Sequence, residues 1–531
     1  MSFIKNIILL ANITVTSACS SLPTDFDSTD SYAYSDTSQT TLGKKAAKII
    51  DGDSSNSTVY LVSEGTEALL TRMALLSMAE RSVDVQYFIW KSDLIGKLIM
   101  NEMMNAAERG VRVRMLLDDI TLDSETKAIL FAMDQHHNIN VRIYNPLSSS
   151  GYRASAAITD TYRINRRMHN KSFTVDSQYT IVGGRNIENN YFSANVRSNY
   201  GDLDIISIGP IVPEVNKQFD IYWNSPLAIP AEVFSSHASH KNSYQTVRQE
   251  LSYFVLSKKD SAYALDIKNS EMYQRVESGI SGNDPDLLYR GEAHVIYDDP
   301  EKTLGKSKSE VTYMTSLIRP HIEKIEHSLE LVSPYFVPGV AGREYLANMV
   351  ERGIQVRVIT NSLASTDGIM AQSGYARHRI ELLKGGIELY ELKPKAKSKA
   401  SRSLSRSADA KSALHAKIYI FDRDEVYIGS FNLDPRSANI NTELGVICAI
   451  PEMAAHIAEK MFDENIEEIA YKIELVIENE DVDGIQIAQE KVVWVETVDG
   501  KKIRHMTQPE TSGWRRFNLN VYSILPIESQ L

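Results

Sequence analysis

From about Val59 onward, short apolar runs alternate with amphipathic stretches. SVDVQYFIW, from Ser82, has the β-branched and aromatic content of a strand. Asp93 to Arg109 carries Leu94, Leu98, Ile99, Met103 and Ala107 at helical spacing, and Gly110 stands where a glycine ends a helix. VRVRMLL, from Val111, and INVRIYNP, from Ile139, read as strands again. Strand, helix, strand alternation predicts an α/β layer with parallel strands.

The same order then returns. SLELVSPYF begins at Ser328, RGIQVRVITNS at Arg352 and IELYELKP at Ile387, each 243 to 248 residues after its counterpart at Ser82, Arg109 and Ile139. Four segments in order at a nearly constant offset describe a duplicated unit. The fourth pair carries the chemistry. MHNKSFTVDSQYTIVGGRNI holds His169, Lys171, Asp176, Gly183, Gly184 and Asn186; LHAKIYIFDRDEVYIGSFNL holds His415, Lys417, Asp422, Gly429, Ser430 and Asn432 at the same spacings. In an extended chain, residues two apart point the same way, so each histidine shares a face with its lysine. An imidazole beside an ammonium suits a phosphate. Asp176 and Asp422 lie seven residues after their histidines. That odd number turns them off the His–Lys face and makes them structural.

Composition refines this picture. The chain has 531 residues, 43% apolar and 24% charged, which is globular and long enough for two or more domains. A net charge of -12 argues against general nucleic-acid binding. Two cysteines, Cys19 and Cys448, exclude a disulfide framework, and Cys448 in LGVICAI reads as a buried thiol. No metal-ligand set and no cofactor motif appears; His237 and His240 read as a solvated loop.

The expected domains are a signal segment over 1–18, a flexible Ser/Thr/Asp tether over 19–58, an α/β domain over 59–235, a polar connecting segment over 236–300, a second α/β domain over 301–470, and a C-terminal element over 471–531. Lys5, the apolar centre Ile7 to Val15, and TSAC resemble a bacterial lipoprotein signal with lipid on Cys19. That places the chain in a bacterial cell envelope, facing the periplasm, and Ser20 leans to the outer membrane. Two readings stand for the basic run Lys393 to Lys411, a surface loop or a contact for anionic headgroups. Two also stand for Trp514, Arg515, Arg516 and Phe517, packing on the domain or meeting a membrane interface.

The twin His-x-Lys-x4-Asp-x6-Gly-Gly/Ser-x-Asn pattern resembles the signature of the phospholipase D superfamily over about residues 59 to 470. RMHNKSFTVD, SPYFVP, GYARHR, IGSFNLDPRS and NTELG are similar to the C-type bacterial cardiolipin synthases. The resemblance implies two α/β/α sandwich domains with mixed, largely parallel sheets, related by a pseudo-twofold axis around one shared site. It implies that one histidine attacks phosphorus and the other protonates the leaving alkoxide. It favours His169 as the nucleophile and His415 as the acid/base, with Lys171, Lys417, Asn186 and Asn432 on the phosphate oxygens. Asp202 in GDLD and Glu443 in NTELG occupy the places of the histidine-orienting carboxylates. For His169, the expected partner is Asp202. The substrates implied are phospholipids, phosphatidylglycerol and phosphatidylethanolamine, at a membrane surface. Transfer to an alcohol gives cardiolipin and hydrolysis gives phosphatidic acid; the motif residues serve both.

Overall fold

The computed structural model describes residue 26 and residues 29–531, apart from 53–54, 148–160, 236–241, 271–272, 275–287, 395–410, 465, 483–484, 499 and 527. The signal segment with Cys19, the His237/His240 pair and most of the basic run 393–411 lie outside the described residues.

The first half is built on β1 (Ser57–Val62), β2 (Ser82–Tyr87), β3 (Arg112–Asp118), β4 (Ile139–Tyr144), β5 (Ser172–Val175), β6 (Tyr179–Gly183), β7 (Ser198–Gly201) and β8 (Asp204–Ile208), with a short strand over Ala228–Pro230 antiparallel to β4 at the edge. The second half repeats them as β9 (Leu288–Tyr297), β10 (Ser328–Val332), β11 (Gln355–Asn361), β12 (Glu388–Leu392), β13 (Lys411–Leu414), β14 (Ile418–Phe421), β15 (Glu425–Gly429) and β16 (Leu444–Ala449). Across the first half the order is β4-β3-β2-β5-β6-β8-β1, and across the second it is β12-β11-β10-β14-β15-β16-β9. β1 pairs antiparallel with β9, Val59 opposite Tyr289, so the halves join at one local twofold into a continuous 18-stranded sheet.

The sheet is mixed, and its parallel share is smaller than the alternation suggests. β2, β3 and β4 run parallel, as do β10, β11 and β12. Parallel neighbours need a crossover. A helix such as α2 (Leu94–Glu108), capped by Asp93, supplies one. The motif strands instead return through tight turns and pair antiparallel. Asp176 and Ser177 (φ 52° and 50°) and Asp422 and Arg423 (φ 53° and 59°) are left-handed at matching turns. Asp tolerates that conformation better than most residues.

Two expectations are corrected. The tether is docked from residue 29 on. Arg112 and Arg114, two apart on β3 and so on one face, donate to the carbonyls of Tyr32 and Ser31, and Arg142 donates to that of Thr29. Tyr34 stacks on Arg112, and α1 (Thr41–Ile50) starts at its Thr40 cap and buries Leu42 and Ala46. Backbone carbonyls do the docking, so a polar sequence suffices. The described part of the connecting segment likewise has regular structure, with a helix over Tyr244–Lys258 and β9, which carries the seam between the halves.

The C-terminal element is a hairpin, β17 (Ala470–Val482) with β18 (Ile485–Val498), an edge strand β19 (Lys501–His505), and a closing helix over Gly513–Ile524. β17 extends the second half's sheet beside β12. Among the described residues no helix is long and apolar enough to cross a membrane. Cys448 is buried, and burial pushes its thiol up to about 12.

Candidate active site

Each motif histidine sits on an extended segment leading into the central motif strand, His169 before β5 and His415 before β14. Both segments cross to the other half. The His169 N–H donates to the Thr442 carbonyl, and the His415 N–H to the Gly201 carbonyl, each at 2.8 Å. Residues on either side reinforce the crossing: Met168 bridges Thr442, and β13 runs parallel to β7 with Leu414 opposite Gly201.

This crossing sets the carboxylates. His169 Nδ1 meets Glu443 Oε2 at 2.8 Å, and His415 Nδ1 meets Asp202 Oδ2 at 2.7 Å. The expected pairing of His169 with Asp202 does not occur. Each carboxylate follows directly on the residue whose carbonyl holds the opposite histidine, so the partners are exchanged between halves. A carboxylate on Nδ1 fixes that nitrogen as the N–H and leaves Nε2 with the lone pair.

The motif residues converge here. His169 and His415 are each 8% exposed, while Lys171 and Lys417 are buried. Lys171 Nζ donates to the His169 carbonyl at 2.5 Å, and Lys417 Nζ to that of His415, lying also 3.2 Å from His415 Nε2. Asn432 Oδ1 is buried without a hydrogen-bond partner among the described residues. Asn186 differs from its twin. Its Oδ1 accepts from the Ile89 N–H and its Nδ2 donates to the Tyr191 hydroxyl, so it positions protein groups. Asp176 is buried and accepts the N–H groups of Glu80, Arg81 and Ser82; Asp422 accepts those of Glu326, His327 and Ser328. Neither touches a histidine.

Burial dominates the electrostatics. It lowers His169 well below the ordinary imidazole range, with Lys171, Lys417 and His415 adding repulsion. His415 is lowered too, by burial and Lys417, against the pull of Asp202. Burial brings Lys171 to about 7 and Lys417 to about 8, and pushes Glu443 up to about 7. Burial alone would raise Asp202, but contact with His415 and the charge of Lys417 hold it below the usual carboxylate range. Imidazoles and ammoniums lowered chiefly by burial would hold their protons more firmly beside a phosphodiester anion.

Several residues were not anticipated. Tyr191 places its hydroxyl 3.3 Å from His415 Nε2, and the Tyr200 ring lies tilted against the same imidazole, 5.6 Å between centroids. Both come from the longer path between Asn186 and Asp202, which explains why that spacing exceeds the one from Asn432 to Glu443. Phe88 packs edge-on to His169 at 5.0 Å. Ser430 donates to Glu443 Oε2 at 2.5 Å. Its counterpart Gly184 leaves room for the Asp202 carboxylate, which a Cβ there would meet at 2.2 Å. Behind the site, Asp298 accepts the Glu443 N–H, and Asp118 accepts the N–H of Met168. A lone aromatic residue or aspartate carries no spacing signal, so Tyr191, Tyr200, Phe88 and Asp298 were not legible in the sequence, whereas Gly184 and Ser430 are motif positions. Among the described residues no three His, Cys, Asp or Glu side chains converge as a metal site.

A duplicated α/β sheet closing two His–Lys pairs into one buried centre defines a phosphodiester-handling class. The profile of the family described as "Cardiolipin synthase, PLD-like domain" matches twice, over residues 73–223 and 318–465. The chain belongs to this family of phospholipase D-like phosphodiester transferases. It is 36% identical over 498 residues to Cardiolipin synthase C of Escherichia coli, covering 88% of this chain and 95% of that one. A Helicobacter pylori protein is 31% identical over 92% of both chains. The fold is similar to that of a phosphatidylserine synthase from Haemophilus influenzae, with a TM-score of 0.52 and 13% identity over 78% of this chain and 89% of that one.

Proposed function

We propose that the chain is a phosphatidyltransferase that makes cardiolipin from two phospholipids. The observation that carries this reading is the crossed pair of buried histidines, each with its Nδ1 on a carboxylate and its lysine beside it. Transfer through a phosphohistidine needs two imidazoles in different roles. His169 is the nucleophile: its depressed basicity keeps it neutral, and Glu443 on Nδ1 leaves the lone pair on Nε2. His415, with Tyr191 at Nε2 and Lys417 against the ring, 2.9 Å from Nδ1 and 3.2 Å from Nε2, is the acid/base.

In the first step, the Nε2 lone pair of His169 forms the N–P bond while the P–O bond to the donor headgroup breaks. His415, protonated, gives its proton to the departing alkoxide. The arriving phosphodiester anion supplies the negative charge that lets buried His415 hold that proton. Lys171, Lys417 and Asn432 hold the non-bridging oxygens, and Asn186 holds Tyr191 in place. In the second step, a glycerol hydroxyl of phosphatidylglycerol gives its proton to neutral His415, its oxygen attacks phosphorus, and the N–P bond breaks. Asp202 and Glu443 steady the imidazoles throughout, and Asp176 and Asp422 hold the turns.

Similarity to Cardiolipin synthase C over most of both chains supports transfer that yields cardiolipin; phosphatidylglycerol as acceptor, with phosphatidylglycerol or phosphatidylethanolamine as donor, is the part of this reading that the assay tests. The deciding assay supplies phosphatidylglycerol vesicles with and without phosphatidylethanolamine. Cardiolipin is the expected product; phosphatidic acid alone would make the enzyme a hydrolase. His169→Ala and His415→Ala should each abolish turnover. We further assign the protein to the bacterial envelope, facing the periplasm, on the membrane through lipidated Cys19 and weakly favouring the outer membrane. Cys19→Ala should change its behaviour in membrane fractionation.

A further inference from the structure

The helix over Gly513–Ile524 turns an apolar face outward. Trp514 is 70% exposed and Ile524 83%, with Phe517, Val521 and Leu525 exposed between or beside them. At about 100° per residue these five fall within an arc of about 100°. Leu519, on the opposite side, is buried. Trp514 and Phe517 stack on each other in the open at 5.5 Å. The cations of this segment face inward: Arg515 donates to the carbonyls of Leu363 and Thr366, and Arg516 to that of Thr511.

The position of the helix matters as much as its face. The carbonyls that take Arg515 belong to the loop ending at Asp367. Asp367 accepts from Tyr200 and Tyr335, and Tyr200 lies against the His415 ring. The apolar face is therefore one loop away from the rim of the site. Exposed Met370 begins the neighbouring helix, Ile369–Lys384, whose Arg377 donates to the carbonyls of Tyr522 and Leu525.

We infer that the helix over Gly513–Ile524 is an interfacial anchor that lies in the headgroup layer of a phospholipid bilayer and sets the mouth of the site against it. The inference rests on the phospholipid reading above. A Trp/Phe/Ile face on an otherwise polar helix is the composition that sits at the boundary of headgroups and acyl chains. A protein partner on this face would crowd the rim that Arg515 ties to it, whereas a bilayer there brings substrate. With both arginines committed to protein carbonyls, docking by this face is apolar and independent of anionic lipid.

Trp514 makes the test direct, because Trp90, Trp223 and Trp494, the other three tryptophans, are buried. The full-length protein is mixed with zwitterionic phosphatidylcholine vesicles whose acyl chains are brominated near the headgroup. Quenching of tryptophan emission is expected, lost in Trp514→Phe and retained in high salt. Phe517→Ser/Ile524→Ser should lower turnover on vesicles by at least about tenfold while leaving turnover of a dissolved short-chain phospholipid unchanged. Unquenched Trp514 on vesicle-bound protein overturns the inference. So does Trp514 shielded from a water-soluble quencher before vesicles are added, which would mean that a second copy or another part of the chain covers the face. If the parent protein fails on the dissolved substrate too, the catalytic reading falls, while the quenching still reports docking.

Discussion

Exchange of carboxylates between the halves makes a prediction that own-half pairing does not. Glu443→Gln should cripple the step that uses His169, although Glu443 belongs to the other motif. Glu443 is fully buried and holds Nδ1 at 2.8 Å. Losing one charge-assisted hydrogen bond removes about 1.5–3 kcal/mol, roughly ten- to hundredfold in rate. A glutamine can also turn its amide N–H toward Nδ1 and select the wrong tautomer. A buried carboxylate replaced by its amide beside a catalytic histidine has cost about 10⁴ elsewhere, so the expected loss lies between about 10² and 10⁴. The assay is rapid-quench detection of phosphohistidine with two donors, a natural phospholipid and one whose headgroup leaves as a stable anion. Asp202→Asn, acting through His415, should slow adduct formation from the natural donor and largely recover with the activated one, because no proton need be given. Glu443→Gln should stay slow with both. The parent's first step should fall as pH drops through about 7, where Glu443 takes up a proton and ceases to accept, and the variant should lack that limb. Folding provides the control. The carboxyl is raised in the folded protein, so the proton favours the native state and stability declines as pH rises from about 4.3 toward 7. Neutral glutamine should therefore not lower the melting temperature at pH 8. A Glu443→Gln enzyme that recovers with the activated donor, beside an Asp202→Asn enzyme that does not, would refute the assignment of roles.

Asp176→Ala should lower stability by on the order of 3 kcal/mol in thermal melts, since three backbone N–H groups lose a buried acceptor, while surviving folded enzyme keeps its turnover. Asp422→Ala, at a half-exposed turn, should be milder. Its carboxyl is held low despite its burial by the N–H groups of Glu326, Ser328 and His327, so its stabilisation is present above about pH 4 and lost on acidification; the variant should show a flatter acid limb. Tyr191→Phe removes the hydroxyl shared by Asn186 and His415 and should slow the natural donor by about tenfold, with recovery on the activated one. A chelator should leave the rate unchanged, because Lys171 and Lys417 supply the positive charge at the site.

What could be read from the sequence was local or repeated. Parity of spacing placed each histidine with its lysine and sent Asp176 and Asp422 elsewhere, and the contacts of Asp176 are backbone amides of the β2 entry. The constant offset between copies revealed the duplication. The origin of each histidine's carboxylate was not legible, because a twofold pattern is the same whether partners stay within a half or exchange. Tyr191, Tyr200 and Phe88 were invisible for a related reason: an aromatic residue acquires meaning only once a distant loop is folded against a ring. The docked segment from residue 29 misled through its composition. A chain without large aliphatic residues can still be fixed when buried arginines such as Arg114 need carbonyl acceptors.

The exchange also explains why two copies persist within one site. Backbone hydrogen bonds set it: His169 is tied to Thr442, and His415 to Gly201, before any side chain is considered. Side chains alternate along an extended strand, so Glu443 and Asp202 reach the histidines only in that register, and a slip of one residue would turn each carboxylate away. Neither motif histidine takes its carboxylate from its own half. A half that folded alone would present an imidazole of undefined tautomer beside a lysine, with the partner nitrogen open to water. Yet the copies are not equal once joined. Gly184 faces Ser430, Asp202 faces Glu443, and Tyr191 serves only His415. These differences give the two imidazoles different surroundings, with Tyr191 and Lys417 against His415 alone. In the proposed mechanism, pseudo-symmetry would deliver two histidines to one phosphorus, and the departures from it would let them do different work.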